Sequence, residues 1–329
     1  GLSSEQLDHI IKQTITLKEL QESEDSPEAR STLPRLDIQD IETKATDIPI
    51  EIIREGGKKS ETILIHELQT SGILYADMAF DFSGIELEDL SLLPLFTRLM
   101  MEGGTSTMDE VTLQRMIGTH TGGIGTSLYT DVKSSGSLVS NVTPDDCALN
   151  FIIRGKAVTE KVGIMLNLFE DILLNANLNN KKRALEMLKE SKINKENSVI
   201  SSGHSYAATR HASRYSFLGY LGEVTGGLTS VRNAAKLLET AENDWDSIHV
   251  RLKRMQTAIM KKNGMIVNLT GDKTVLEKSK PLIDNFLDRL PRIDDASQIA
   301  QPLKENWKID MLNPVQNEGF YVPSQVNYV

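Results

Sequence analysis

The chain has a single cysteine, Cys147, so no internal disulfide can form and a disulfide-stapled fold of the small secreted kind is excluded. A reducing or matrix-like compartment fits that composition. Aromatic residues make up only 5% of the sequence, which leaves core packing to aliphatics and to the 11 methionines. No apolar run approaches the roughly 18 residues that a membrane-spanning helix requires. No signal or transit segment is visible. A basic footprint is also missing: the net charge is -10, which speaks against a nucleic-acid partner. Most of the excess acid lies early, with eleven Asp or Glu against five Lys or Arg in residues 1–50. Such a chain can steer basic peptides toward itself, although solubility alone accounts for the same charge.

Metal and phosphate motifs are missing too. The six histidines are His9, His66, His120, His204, His211 and His249. None forms H-E-x-x-H or H-x-x-E-H. His204 and His211 lie two helical turns apart, roughly 10 Å by helical rise, too far to share one zinc. His66 sits on an expected strand, where a structural role is the simpler reading. Cys147 is a nucleophile only with an oriented base beside it, and as a strand residue it reads as core. The run Gly122-Gly-Ile-Gly125 lacks both phosphate-loop signatures and reads as a strand-entry turn that needs positive φ. Lys181-Lys-Arg183 reads as a solvated helix face.

What is present is a regular alternation of strands and helices. Ser3 with Gln6 resembles a capping box, and Leu7, Ile10, Ile11, Thr14 and Leu17 share one face, so residues 3–22 form a helix. Residues 28–46 read as an extended connector. Ile48, Ile50 and Ile52 alternate, Glu55-Gly-Gly-Lys58 turns, and Thr62 to Leu68 returns. Leu74, Ala76, Met78, Phe80 and Phe82 then keep a period of two over nine residues. The spacing predicts an antiparallel meander of these three strands. Further helices are expected over 87–101, 107–118, 158–172, 181–197, 204–215, 229–239 and 244–262. A Gly-rich stretch at 219–227 separates two of them. Further strands are expected at 124–131, 136–142, 147–154 and 265–269. Thr274 with Glu277 repeats a capping box, and Pro281 predicts a kink or a later helix start. Residues 292–318 read as a linker, and Phe320 to Val329 as a strand entering another domain. The pattern predicts an α+β fold, a mostly antiparallel sheet with helices packed on one face.

One segment suggests ligand contact: Ser201-Ser-Gly-His-Ser-Tyr-Ala-Ala-Thr-Arg-His211. His204, Tyr206 and Arg210 can present polar groups to a peptide. A helix cap with tight helix packing explains the same residues.

Several short runs occur in a telling order: Thr70-Ser-Gly-Ile-Leu-Tyr75, Pro94-Leu-Phe96, Thr121-Gly-Gly123, Arg154-Gly-Lys156, Ser202-Gly-His204, Trp245, Asn263-Gly264 with Val267-Asn268, and Val326-Asn-Tyr-Val329. Together they resemble the presequence protease and falcilysin branch of the pitrilysin/insulinase (inverted zincin) metallopeptidases, over nearly the whole chain. The resemblance implies two hinged halves that close on a chamber, each with two related α+β domains. Residues 1–45 then correspond to the end of the hinge hairpin and a connector. Residues 46–292 correspond to the third, non-catalytic domain, and 293–329 to a linker with the first strand of a fourth domain outside the chain. It also implies zinc in the parent enzyme, held by an H-x-x-E-H helix outside this chain. The related helix here, Pro94 to Gly103, puts Leu95, Arg98 and Leu99 at the ligand slots, and none of these can hold Zn²⁺. The resemblance therefore carries no catalytic or metal residue onto this chain. The implied partners are the N-terminal catalytic half and fourth domain of the same protein, together with short unfolded peptides. The implied role is a chamber wall, whose acidity would favour basic targeting peptides. A mitochondrial or plastid matrix fits, as does a parasite digestive compartment or apicoplast. An inactive scaffold resembling the core subunits of respiratory complexes, and an unrelated α+β peptide-binding module, stand as alternatives.

Overall fold

The computed structural model describes residues 3–45, 47–54, 61–133, 142–294, 300–307 and 317–321. It divides into two compact units, Gly1–Ile48 and Pro49–Val329. In the first, α1 (Ser4–Glu22) begins where the sequence predicts. The Ser3 hydroxyl accepts from the Gln6 amide at 3.3 Å, and the Ser3 amide donates to the Gln6 side chain at 2.9 Å. Its apolar stripe, with Leu7, Ile10, Ile11 and Leu17, is exposed throughout. The connector is not wholly extended. Ser26 caps a short helix, α2 (Pro27–Ser31), with Pro27 at the first helical position, where its missing N–H costs nothing.

The second unit is built on a six-stranded sheet. Its strands are β1 (Glu51–Arg54), β2 (Thr62–Glu67), β3 (Ile73–Asp81), β4 (Ile124–Val132), β5 (Cys147–Val158) and β6 (Ile266–Gly271), in the order β1-β2-β6-β3-β5-β4. Only the β2–β6 pair is parallel. The expected meander is therefore corrected: β6, from far along the chain, inserts between β2 and β3. Its inward residues Val267 and Leu269 fill the sheet's inner face between those strands, and the sequence carries no mark of which neighbours a short strand will choose. The turn expected at 55–58 lies outside the described residues. β4 pairs along its whole length with β5, from Ile124 opposite Gly155 to Val132 opposite Cys147. The strand expected at 136–142 lies outside the described residues, save for buried Val142.

Period two gives the sheet two unlike faces. Leu74, Ala76, Met78 and Phe80 of β3, with Leu149, Phe151 and Ile153 of β5, point inward and are buried. Helices cover that face. These are α3 (Leu93–Glu102), α4 (Glu110–His120) and α5 (Val162–Asn175), followed by α6 (Lys181–Ser201), α7 (Gly203–Ala212), α8 (Phe217–Thr225), α9 (Leu228–Asn243), α10 (Trp245–Ile259), α11 (Lys273–Arg289) and α12 (Pro302–Asn306). The α+β architecture is as predicted. The stripe Val162, Met165, Phe169 and Ile172 is fully buried, while Val158 ends β5 and is exposed. Gly155 lets α5 sit close, since a Cβ there would lie 2.9 Å from the Phe169 ring. Phe96 of α3 meets Phe151 edge-on at 5.9 Å. Asp89, completely buried just before α3, accepts from Arg251 at 2.7 Å and from Arg254 at 2.7 and 3.0 Å, which ties α10 to this layer.

Three helical expectations change. The Gly-rich stretch is not a separator but most of α8, capped by the Ser216 hydroxyl, which accepts from the Gly219 amide. Its glycines permit close packing: a Cβ on Gly219 would lie 2.2 Å from the Ala212 carbonyl oxygen. α11 starts at cap Asp272 rather than Thr274 and runs through Pro281 to Arg289. An interior proline costs about 3 kcal/mol, and the buried face Val275, Ser279, Ile283 and Phe286 against α5 offsets that. Part of the expected linker is packed: Leu303 of α12 is buried, and Trp307 meets the rings of Phe217 at 5.0 Å and Tyr220 at 5.3 Å. Of the final strand expected from Phe320, residues 322–329 lie outside the described residues, and Phe320 and Tyr321 are not in a strand.

Candidate functional site

The helix that would carry a metal motif is a packing element. Leu95 and Leu99 of α3 are buried in the core. Arg98 between them pairs with Glu102 at 3.1 Å and Glu190 at 2.9 Å, and the Glu102 hydrogen bond raises its pKa. Among the described residues, no group of three or more His, Cys, Asp or Glu side chains could hold a metal ion. The residues of α3 do not fit zinc. His66 Nδ1 lies 2.8 Å from the Pro49 carbonyl, a strand-to-strand contact. Burial pushes the Cys147 thiol up to about 11, and its S–H donates to the Thr143 carbonyl at 3.2 Å, so it is no nucleophile. The turn at Gly122-Gly-Ile-Gly125 has Gly123 at φ 116°, the conformation predicted for it.

The three candidates His204, Tyr206 and Arg210 all fall on α7. Tyr206 and Arg210 lie one turn apart on one face, and His204 is on nearly the opposite side. His204 is exposed. The Tyr206 hydroxyl is hydrogen-bonded to that of Ser198 on α6. Arg210 forms a two-pronged pair with Glu318, at 2.9 Å for each oxygen, and Arg214 adds a contact of 2.7 Å. That hydrogen bond from Arg210 is the main reason the Glu318 carboxyl titrates at about 2. Tyr206 and Arg210 are thus committed to intramolecular partners, and the trio does not converge on one point.

A different convergence lies on the open face of the sheet. Tyr75 and Asp77 of β3, Arg154 and Lys156 of β5, and Asn268 and Thr270 of β6 line a concavity of about 650 Å³, with Gly122 to Gly125 at one side. These are the outward partners of the buried core residues, placed there by the pleat and by the cross-strand pairs Tyr75–Lys156, Asp77–Arg154 and Asp77–Asn268. Arg154 lies 3.5 Å from Asp77, and the Lys156 ammonium sits 5.9 Å from the centre of the Tyr75 ring. The Lys156 stem lies along Gly122, where a Cβ would come within 2.7 Å of it. The place is walled by strands, hydrogen-bonding and open to solvent. It can hold an extended chain with polar groups, and it offers no nucleophile or base of shifted pKa. An acidic wall is not found at this concavity: Asp77 stands beside two cations.

Sequence reasoning missed this set. Runs that looked unrelated along the chain, Thr70 to Tyr75, Thr121-Gly-Gly123, Arg154-Gly-Lys156 and Val267-Asn268, meet around one hollow. The signal was available in the strand parity of Tyr75, Asp77, Arg154 and Lys156, but the β3–β6 adjacency was not.

Residues 1–237 match a family described as peptidase M16, subfamily C, associated. The chain is 31% identical over 330 residues to presequence protease 1, chloroplastic/mitochondrial, of Arabidopsis thaliana, covering 100% of this chain and 29% of that protein. It is 26% identical over 311 residues to the mitochondrial presequence protease of Yarrowia lipolytica, covering 94% and 30%, and 23% identical over 325 residues to Protein HypA of Clostridium perfringens, covering 98% and 31%. It thus spans under a third of the length of these relatives. A solved structure, the peptidase M16 inactive domain from Pseudomonas fluorescens, superposes with a TM-score of 0.49 at 11% identity, over 76% of this chain and 53% of that one. On the match through residue 237, the chain belongs to this family of segments associated with subfamily C of the M16 peptidases, in the company of the presequence proteases.

Proposed function

We propose that this chain is a non-catalytic segment of the C-terminal half of a zinc metalloendopeptidase, and that it forms a wall of the chamber in which targeting peptides and other short unstructured peptides are degraded. The observation that supports this is the hollow on the uncovered sheet face, where Tyr75, Asp77, Arg154, Lys156 and Asn268 meet. An extended peptide laid across it would find a ring, a carboxylate, two cations and an amide within one surface, while the helices on the other face keep that surface rigid. In this arrangement residues 1–45 end a hinge hairpin, 46–292 are the third domain, and 293–329 lead to a fourth. Zinc and the base that activates water come from residues outside the chain. The names of the relatives support a mitochondrial or plastid matrix as the compartment of the parent protein. His204, exposed on α7, is a further candidate contact for a peptide.

The test uses the chain and its parent enzyme side by side. The chain alone, with zinc supplied, leaves a fluorogenic presequence peptide intact and retains no stoichiometric metal. In the parent, Arg154→Ala with Lys156→Ala raises KM and leaves kcat nearly unchanged, the pattern of lost uniform binding. Hydrolysis by the chain alone, or zinc bound by its own side chains, overturns the proposal.

A further inference from the structure

The helical layer carries a second surface, unrelated to the hollow on the sheet. Arg210 of α7, Arg214 just beyond it and Arg232 of α9 all reach one short piece of extended chain, residues 317–321. Glu318 takes both prongs of Arg210 at 2.9 Å and Arg214 at 2.7 Å. Two residues on, the Phe320 ring lies 5.3 Å from the Arg232 guanidinium. Residues two apart in an extended chain point the same way, so one side of the segment meets all three arginines.

The receiving side is oriented before the segment arrives. Glu223 is 2% exposed, and its Oε1 accepts from the Thr229 amide and hydroxyl, each at 2.8 Å. Arg210 Nη1 lies 3.5 Å from that same oxygen and 3.4 Å from the Thr229 hydroxyl. The guanidinium is held from behind by a buried carboxylate and presents its other edge outward. Two-pronged arginine–carboxylate pairs are the stronger and more directional kind of ion pair. Between Arg210, Arg214, Tyr220 and Glu223 a cavity of about 170 Å³ remains.

The occupant is set by tethering. Trp307, ten residues before Asn317, is anchored on Phe217 and Tyr220 of α8, the neighbouring helix. Ten residues span at most about 33 Å when fully extended, so Glu318 is kept near its arginines at a high effective concentration.

We propose that Arg210, Arg214 and Arg232 form a docking site for an extended segment carrying a carboxylate and, two residues later, an aromatic ring, and that its occupant is the chain's own Glu318–Phe320. The site fixes the path by which the chain leaves the helical layer. An acidic–aromatic peptide supplied in excess competes for it.

Cleavage by chymotrypsin at the Phe320–Tyr321 bond of the intact protein tests this, because a docked segment is cut only through its open population. Glu318→Gln touches no core residue and should raise the cleavage rate about tenfold, the ratio expected for losing one strong ion pair. Arg232→Gln should raise it several-fold, and added salt should accelerate the wild type toward Glu318→Gln while leaving that variant unmoved. Excess acetyl-Asn-Glu-Gly-Phe-amide should also accelerate the wild type. A Glu318→Gln rate within twofold of wild type overturns the docking, as does equal acceleration at core bonds such as that after Phe151, which would signal general destabilisation.

Discussion

The two faces of β3 and β5 are made from the same strands yet obey different rules. Inward, Leu74, Met78, Phe80, Phe151 and Ile153 are fully or almost fully out of solvent and meet α3 and α5. Outward, Tyr75, Asp77, Arg154 and Lys156 alternate with them and line an open hollow. The inner face is a packing problem, where volume decides. The outer face is a recognition surface, where charge and hydrogen bonding decide. A sheet covered on one side can carry function on the other because neither set of side chains constrains the other's chemistry.

The contrast breaks most visibly through Phe151→Ala, which should lower unfolding free energy by about 3–5 kcal/mol in denaturant titration, since its ring leaves a cavity against Phe96. Asp89→Asn should come next, at about 1.5–3 kcal/mol by the same measurement, because buried Asp89 accepts charge-assisted bonds from Arg251 and Arg254. Gly155→Ala sharpens the comparison, because it sits in β5 among the outward cations while its missing Cβ faces Phe169. A cost of about 1–3 kcal/mol would mark it as a residue of the inner face. Lys156→Ala should shift stability by less than about 0.5 kcal/mol, and a larger loss would mean that the outer face is structural. Cys147 offers a pH test of the inner face. Its folded pKa is raised from 9.0 to about 11, so the stability it contributes is complete below pH 9 and is lost as pH rises toward 11. Iodoacetamide at pH 8 should label it only in denaturant.

Much of the framework was legible along the chain, because periodicity is a local property. The nine-residue alternation through Met78 became β3, the stripe from Val162 to Ile172 became α5, and Ser3 with Gln6 capped α1 as predicted. The failures share one cause. The insertion of β6 between β2 and β3, the helix over Gly219 and Gly222, and the passage of α11 through Pro281 are all decided by a distant partner that outweighs a local tendency. The candidate site divides the same way. His204, Tyr206 and Arg210 were noticed as polar groups on one helix, but a helix does not announce which of its faces is already taken. Ser198 takes Tyr206, and Glu318 takes Arg210.

By itself the sequence determined which segments are helices and strands, which of their faces are apolar, and, at α3, that leucines and an arginine replace any metal-binding set. Those properties follow from side-chain chemistry repeating at 2 or 3.6 residues. Only the tertiary structure decided that Tyr75, Gly122, Arg154, Lys156 and Asn268 share one hollow, and that Glu318 lies between two arginines. Both are contacts across long stretches of chain, set by which strand or helix completes the buried core, and local spacing holds no record of that choice.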